Sequence, residues 1–119
     1  MQYMLMCCVD EALWQALPEA EREAVMADYH GLLQAWVTDH HYRGGARLQS
    51  AATATTLREA DGRLVLHDGP FAESREQLGG FHVLECGDLD EALGQARRLP
   101  TLRVGGVVEV RPVDPAYRL

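Results

Sequence analysis

The chain has 119 residues, with 11 basic and 18 acidic side chains and a formal net charge of −7. All the basic residues are arginine, and lysine, isoleucine and asparagine are absent. These absences exclude Schiff-base and P-loop chemistry from this chain and any N-glycosylation acceptor, while the negative charge disfavours phosphate backbones and anionic lipid.

At 47% hydrophobic and 24% charged residues, the length predicts one globular domain over residues 1–119. Tyr3 to Val9 is an unbroken apolar run, which predicts a central strand covered on both faces. Asp10 caps or turns, and Glu11 to Leu17 predicts a short helix ended by Pro18. A longer helix follows, because Val25, Met26, Tyr29, Leu32, Leu33, Trp36 and Val37 recur at helical spacing. Tyr29 falls near the middle of that stripe and His30 at its edge, rotated by roughly 100°. The helix is expected to end between Asp39 and His41.

His41 to Leu48 predicts a glycine-containing strand, and Ala51 to Thr56 a connector. Thr55 to Glu59 and Arg63 to His67 flank Ala60-Asp61-Gly62, a hairpin signal. Asp68 to Gln77 reads as a loop announced by Asp-Gly-Pro. Gly80 to Cys86 predicts a strand. Asp88 to Glu91 resembles a capping box that starts a helix, which Pro100 stops. Gly106 to Val113 is the last strand. With the hairpin taken as an insertion, the order is βαββαβ. This is an α+β, ferredoxin-like plan with an antiparallel sheet and helices on one face. An apolar strand with helices on one side only needs a second cover, and a homodimer is the expected solution.

Cys7, Cys8 and Cys86 form no CxxC pair and are expected as buried hydrophobes of a reducing cytoplasm. No apolar segment has the length or flanks of a signal peptide or membrane span. The five histidines carry no ligand spacing, so no metal site and no cofactor is expected.

The polar stretch from Asp68 to Gly80 is the main candidate for chemistry. Asp68 is either a turn-stabilising carboxylate or an acid/base group. His82 alternates with Leu84 and Cys86, as either a hydrogen-bonded core histidine or a general base. Glu109 and Arg111 share a strand face, where Arg111 either clamps an anion or forms an ion pair across strands or at a dimer interface. Arg75 either binds an anion in the same way or is a solvated loop charge. Gly79 and Gly80 lack a nucleotide-binding order and are expected to permit a bend.

The run DGPFAESREQLGG at 68–80 resembles the signature of DGPF-type members of the YCII-related family. The opening YMLM at 3–6, ATATT at 52–56, LDEA at 89–92 and VEVRPV at 108–113 are similar to other segments of that family. The resemblance implies the dimeric α/β-barrel form of the ferredoxin-like fold. It also implies a cleft with a histidine–aspartate pair, near a loop whose aspartate matches Asp68 and whose neighbours Gly69, Pro70 and Phe71 would touch ligand. The family's helical histidine falls on Tyr29, with His30 beside it. One branch of the family dehydrochlorinates an aromatic intermediate, so cofactor-independent acid/base chemistry on a small anionic or aromatic molecule is one implied function. The alternative is a non-catalytic dimeric module that senses a ligand or binds a sigma factor.

Overall fold

The first strand sets the architecture. In the computed structural model, which describes residues 1–119, β1 spans Gln2–Asp10. Tyr3, Leu5 and Cys7 point to one face and are buried, while Met4, Met6 and Cys8 on the other are only half-buried. The continuous apolar run therefore has two unlike faces, and the chain itself closes only one of them.

Asp10 ends β1 and starts α1 (Glu11–Ala16), its carboxylate accepting from the Ala12 and Leu13 amides at 3.0 and 3.2 Å. Such a cap satisfies donors that the first turn leaves unpaired. Pro18 separates α1 from α2 (Glu19–Thr38). Arg22 bridges the break by donating to the Gln15 and Leu17 carbonyls at 2.9 and 2.7 Å. Val25, Leu32 and Trp36 are the buried positions of α2. The Trp36 indole donates to Gln95 Oε1 at 2.9 Å, tying α2 to α3 (Leu89–Ala96). That helix carries the expected cap: Asp88 accepts from the Glu91 amide, and Glu91 reaches back to the Gly87 amide.

Four strands form the main sheet, β1 with β2 (Tyr42–Arg47), β5 (Glu76–Glu85) and β6 (Val107–Pro112). Their order is β2-β5-β1-β6, and every neighbouring pair is antiparallel. β1 and β2 thus run parallel with β5 between them, the split βαβ of a ferredoxin-like fold. The core joins Tyr3, Leu5 and Cys7 to Leu32, Trp36, Leu84, Ala92, Ala96 and Leu99, so the helices lie on one sheet face as expected. The opposite face carries Met4, Met6 and Cys8 beside Phe81, Val83, Glu109 and Arg111 in the strand register.

Two details depart from the sequence expectation. β5 begins at Glu76 rather than Gly80, because Cys7 pairs with Gly80 and Cys8 with Leu78. Gly79 is left unpaired, a bulge that absorbs one residue and lets Glu76 to Leu78 join the ladder. The loop is correspondingly shorter, since Asp68 closes β4. The hairpin of β3 (Thr55–Ala60) and β4 (Arg63–Asp68) forms its own two-stranded sheet. Asp61 and Gly62 turn it with φ of 51° and 76°, the positive values a tight two-residue hairpin turn requires. Leu57, Leu64 and Leu66 are 59%, 71% and 70% exposed, so no other element of the chain covers this ribbon. No helix is long and apolar enough to cross a membrane.

Replacing Leu5, which is fully buried, with alanine removes packing from the centre of this core. We expect Leu5→Ala to lower unfolding free energy by about 2–5 kcal/mol. Asp88→Ala, which removes a cap, should cost only about 1 kcal/mol. Urea denaturation of the two variants measures both, and equal losses would contradict the assignment of Leu5 to the core centre.

Candidate functional site

The strand register lays out the helix-facing side of the sheet in rows. Arg47, Gly80, Cys7 and Val108 form one row, and Gly45, His82, Leu5 and Val110 the next. At the glycines no side chain rises from the sheet. A cavity of about 290 Å³ opens over Cys7, Val9, Gly79 and Gly80. Trp14 and Gln15 of α1, Met26 and Tyr29 of α2, and the segment from Arg47 to Ser50 form its walls. Its floor and walls are largely apolar, and Arg47 is its single cation. Glu11, the one carboxylate of the lining, accepts from Ser50 Oγ at 2.8 Å and from the Ala51 amide at 2.7 Å. That double contact ties α1 to the segment after β2 and fixes the width of the cavity at this side.

Next to the cavity lies His82, only 3% exposed. Its ring is surrounded by Tyr29, Trp36 and Tyr42, with centroid separations of 5.6, 5.4 and 5.9 Å. The Tyr29 hydroxyl forms a short hydrogen bond with His82 Nε2. A phenol is a stronger acid than a neutral imidazole N–H, and on that ground we assign Tyr29 as donor and Nε2 as acceptor. The imidazole proton then sits on Nδ1, a buried atom that has no hydrogen-bond partner in the chain. Burial lowers the His82 pKa from 6.5 to about 4. Burial, reinforced by the proximity of Cys7 and Tyr42, raises that of Tyr29 well above its ordinary value. Both members of the pair are neutral at pH 7 as a result. Cys7 is pushed up to about 11, chiefly by burial, and remains a thiol rather than a nucleophilic thiolate.

Of the sequence candidates, Tyr29 and His82 meet, with Tyr29 lining the cavity. His30 is exposed on α2, as its place on the wheel indicates. Asp68 lies at the end of the exposed hairpin and does not line the cavity. Gly69 donates to the Ala54 carbonyl at 2.7 Å and accepts from Thr56 Oγ1 at 2.8 Å, so it builds the hairpin base. Pro70 follows it, half-buried. Phe71 is 72% exposed, with the Arg58 guanidinium 5.1 Å from its ring centre. Arg75 is exposed in the same loop. Arg111 pairs with Glu109 of its own strand rather than across strands, on the sheet face opposite the cavity. Arg47, Glu11 and Trp14 were not singled out from sequence. The alternation of Arg47 with Gly45 in β2 is the signal that places Arg47 on the helix side. No three histidine, cysteine, aspartate or glutamate side chains cluster as metal ligands.

The YCII-related domain matches residues 1–116. An uncharacterized protein of Rhizobium meliloti (strain 1021) is 40% identical over 114 residues, spanning 95% of this chain and 92% of its own. Among solved structures, the chain is similar to 5-chloro-2-hydroxyhydroquinone dehydrochlorinase from Burkholderia phenoliruptrix AC1100 in complex with 2,5-dihydroxybenzoquinone. The TM-score is 0.57 over 96% of this chain and 94% of that one, at 15% identity, a likeness of fold. Matched over almost its whole length, and with a close relative of the same extent, the chain belongs to the YCII-related domain family.

Proposed function

We propose that the chain is a cofactor-independent acid/base enzyme acting on a small aromatic, acidic molecule in the cavity between α1, α2 and the sheet. The observation that carries this reading is the neutral Tyr29–His82 pair beside an apolar cavity with a single cation, Arg47. Trp14, Met26 and Tyr29 offer flat apolar contact, and the floor at Gly79 and Gly80 admits a planar ring. Arg47 holds the anionic group of the substrate or the departing anion. Tyr29 accepts a proton from a substrate hydroxyl as it passes its own to His82 Nε2. In an elimination the substrate loses that proton and a leaving group departs with its electron pair, which balances charge without a cofactor. Because His82 is a weak base, the substrate hydroxyl must itself be acidic. The fold neighbour's dehydrochlorinase activity and its bound dihydroxybenzoquinone support this substrate class.

We further propose that a second copy covers the open sheet face, where Met4, Met6 and Phe81 are half-exposed around the Glu109–Arg111 pair.

Titration with 2,5-dihydroxybenzoquinone tests the site. We expect saturable binding at one site per chain, weakened about tenfold or more by Arg47→Gln. Turnover of a chlorinated hydroxyhydroquinone should fall about 10²- to 10⁴-fold in Tyr29→Phe. Absence of binding to the unaltered protein would contradict the assignment. For the assembly, sedimentation should give the mass of two chains and Met6→Glu the mass of one. A monomer before substitution would overturn it.

The pair also predicts a pH dependence. His82 has a depressed pKa in the folded state, so between about 4 and 6.5 the unfolded chain binds more protons than the folded one. Its contribution to stability is therefore complete above pH 6.5 and is lost as pH falls toward 4. His82→Gln removes this dependence, so its stability curve should be flatter than the parent's across that window in chemical denaturation. Parallel curves would show that His82 is not held neutral.

A further inference from the structure

His82 accepts at Nε2 but has no partner at Nδ1, although that atom is buried. An imidazole N–H without an acceptor is costly in the interior, and such an atom calls for a functional explanation. The neighbouring strand supplies one. Gly45 stands opposite His82 in the β2–β5 register. The point where a β-carbon of Gly45 would lie is 2.8 Å from His82 Nδ1 and 2.7 Å from the Tyr42 hydroxyl oxygen. A β-carbon there would also collide with the Phe81 carbonyl oxygen, so only glycine fits, and both polar atoms border the space it leaves empty. Tyr42 is half-buried and belongs to β2, the free edge of the sheet. For Tyr42 to serve Nδ1 its hydroxyl has to close that space, and because the residue is half-buried part of its side chain meets water.

We propose that Tyr42 completes a relay, Tyr29–His82–Tyr42, that carries protons between the cavity and the outer edge of β2. The relay rests on the reading of Tyr29 and His82 as the working pair of the cavity. In the outward direction the substrate proton moves to the Tyr29 oxygen as the Tyr29 proton moves to Nε2. The Nδ1 proton moves to the Tyr42 oxygen, and the Tyr42 proton passes to water. One proton enters from the cavity and one leaves at the edge, His82 changes tautomer, and none of the three side chains is left charged. Returning a proton to the substrate reverses the sequence and restores the first tautomer. Such a chain suits groups that resist ionisation, as His82 and Tyr29 both do. Tyr42 is a positioning and relay residue, since it does not line the cavity.

The test is made on ligand-free protein by nitrogen-15 NMR of His82, reading its tautomer and the exchange rate of its Nδ1 proton with water. The unaltered protein should show the Nδ1–H tautomer. Tyr42→Phe, which keeps the ring, should slow that exchange at least about tenfold with the thermal midpoint preserved. Tyr29→Phe removes the donor to Nε2 and should weaken the preference for the Nδ1–H tautomer. Should Tyr42→Phe not fold, Tyr42→Leu serves for the same measurement. An exchange rate that is the same with and without the Tyr42 hydroxyl overturns the relay, whatever the quinone titration gives. Slowed exchange supports it even where the titration fails, and in that case only the substrate reading falls.

Discussion

His82 comes from the middle of the sheet, and its imidazole is withdrawn from water between the rings of Tyr29, Trp36 and Tyr42. Burying an imidazole costs free energy that only specific hydrogen bonds offset. The bond from Tyr29 therefore does more than join two side chains. It adds a directional contact to the apolar packing of Leu32 and Trp36 that seats α2 on the sheet. Trp36, two turns along from Tyr29, packs beside the same ring and is anchored to α3 through Gln95. The helical layer thus packs on an apolar core that encloses one neutral polar contact.

That contact has value for function because the sheet around it is bare. Gly45, Gly79 and Gly80 deny the helix-facing surface three side chains. Added β-carbons at Gly45 and Gly80 would come within 3.0 Å of neighbouring backbone. The bulge at Gly79 brings Gly80 opposite Cys7 and opens the floor of the cavity. Polar groups are confined to the walls: Glu11 is occupied by Ser50 and Ala51, which leaves Arg47 as the group able to take an anion. The absence of lysine has its consequence here, because the only fixed positive charge is a guanidinium that cannot serve as a base.

The fold was legible where its cause is local. The apolar run of β1, the 3.6-residue stripe of α2, the Asp-Gly hairpin turn and the Asp88 cap each act within a few residues, and each lies where the pattern puts it. The burial of His82 could be read from its alternation with Leu84 and Cys86. Its partner could not, since Tyr29 is 53 residues away and only packing joins them. Arg47, Glu11 and Trp14 likewise converge through register and helix placement, with no motif of their own. The conspicuous DGPF segment starts at the last residue of β4 and runs on into the loop before β5, and neither Asp68 nor Arg75 lines the cavity. The start of β5 is not legible in the sequence because one unpaired glycine shifts the ladder, an effect that appears only when strands are paired.

The central claim is that the cavity beside Tyr29 and Arg47, rather than the signature loop, receives the ligand. A crystal structure of the protein soaked with 2,5-dihydroxybenzoquinone distinguishes the two places. A planar ring is expected within the cavity, with one oxygen on the Tyr29 hydroxyl and another on the Arg47 guanidinium. A molecule bound against Asp68 and Phe71, with the cavity left empty, would contradict it.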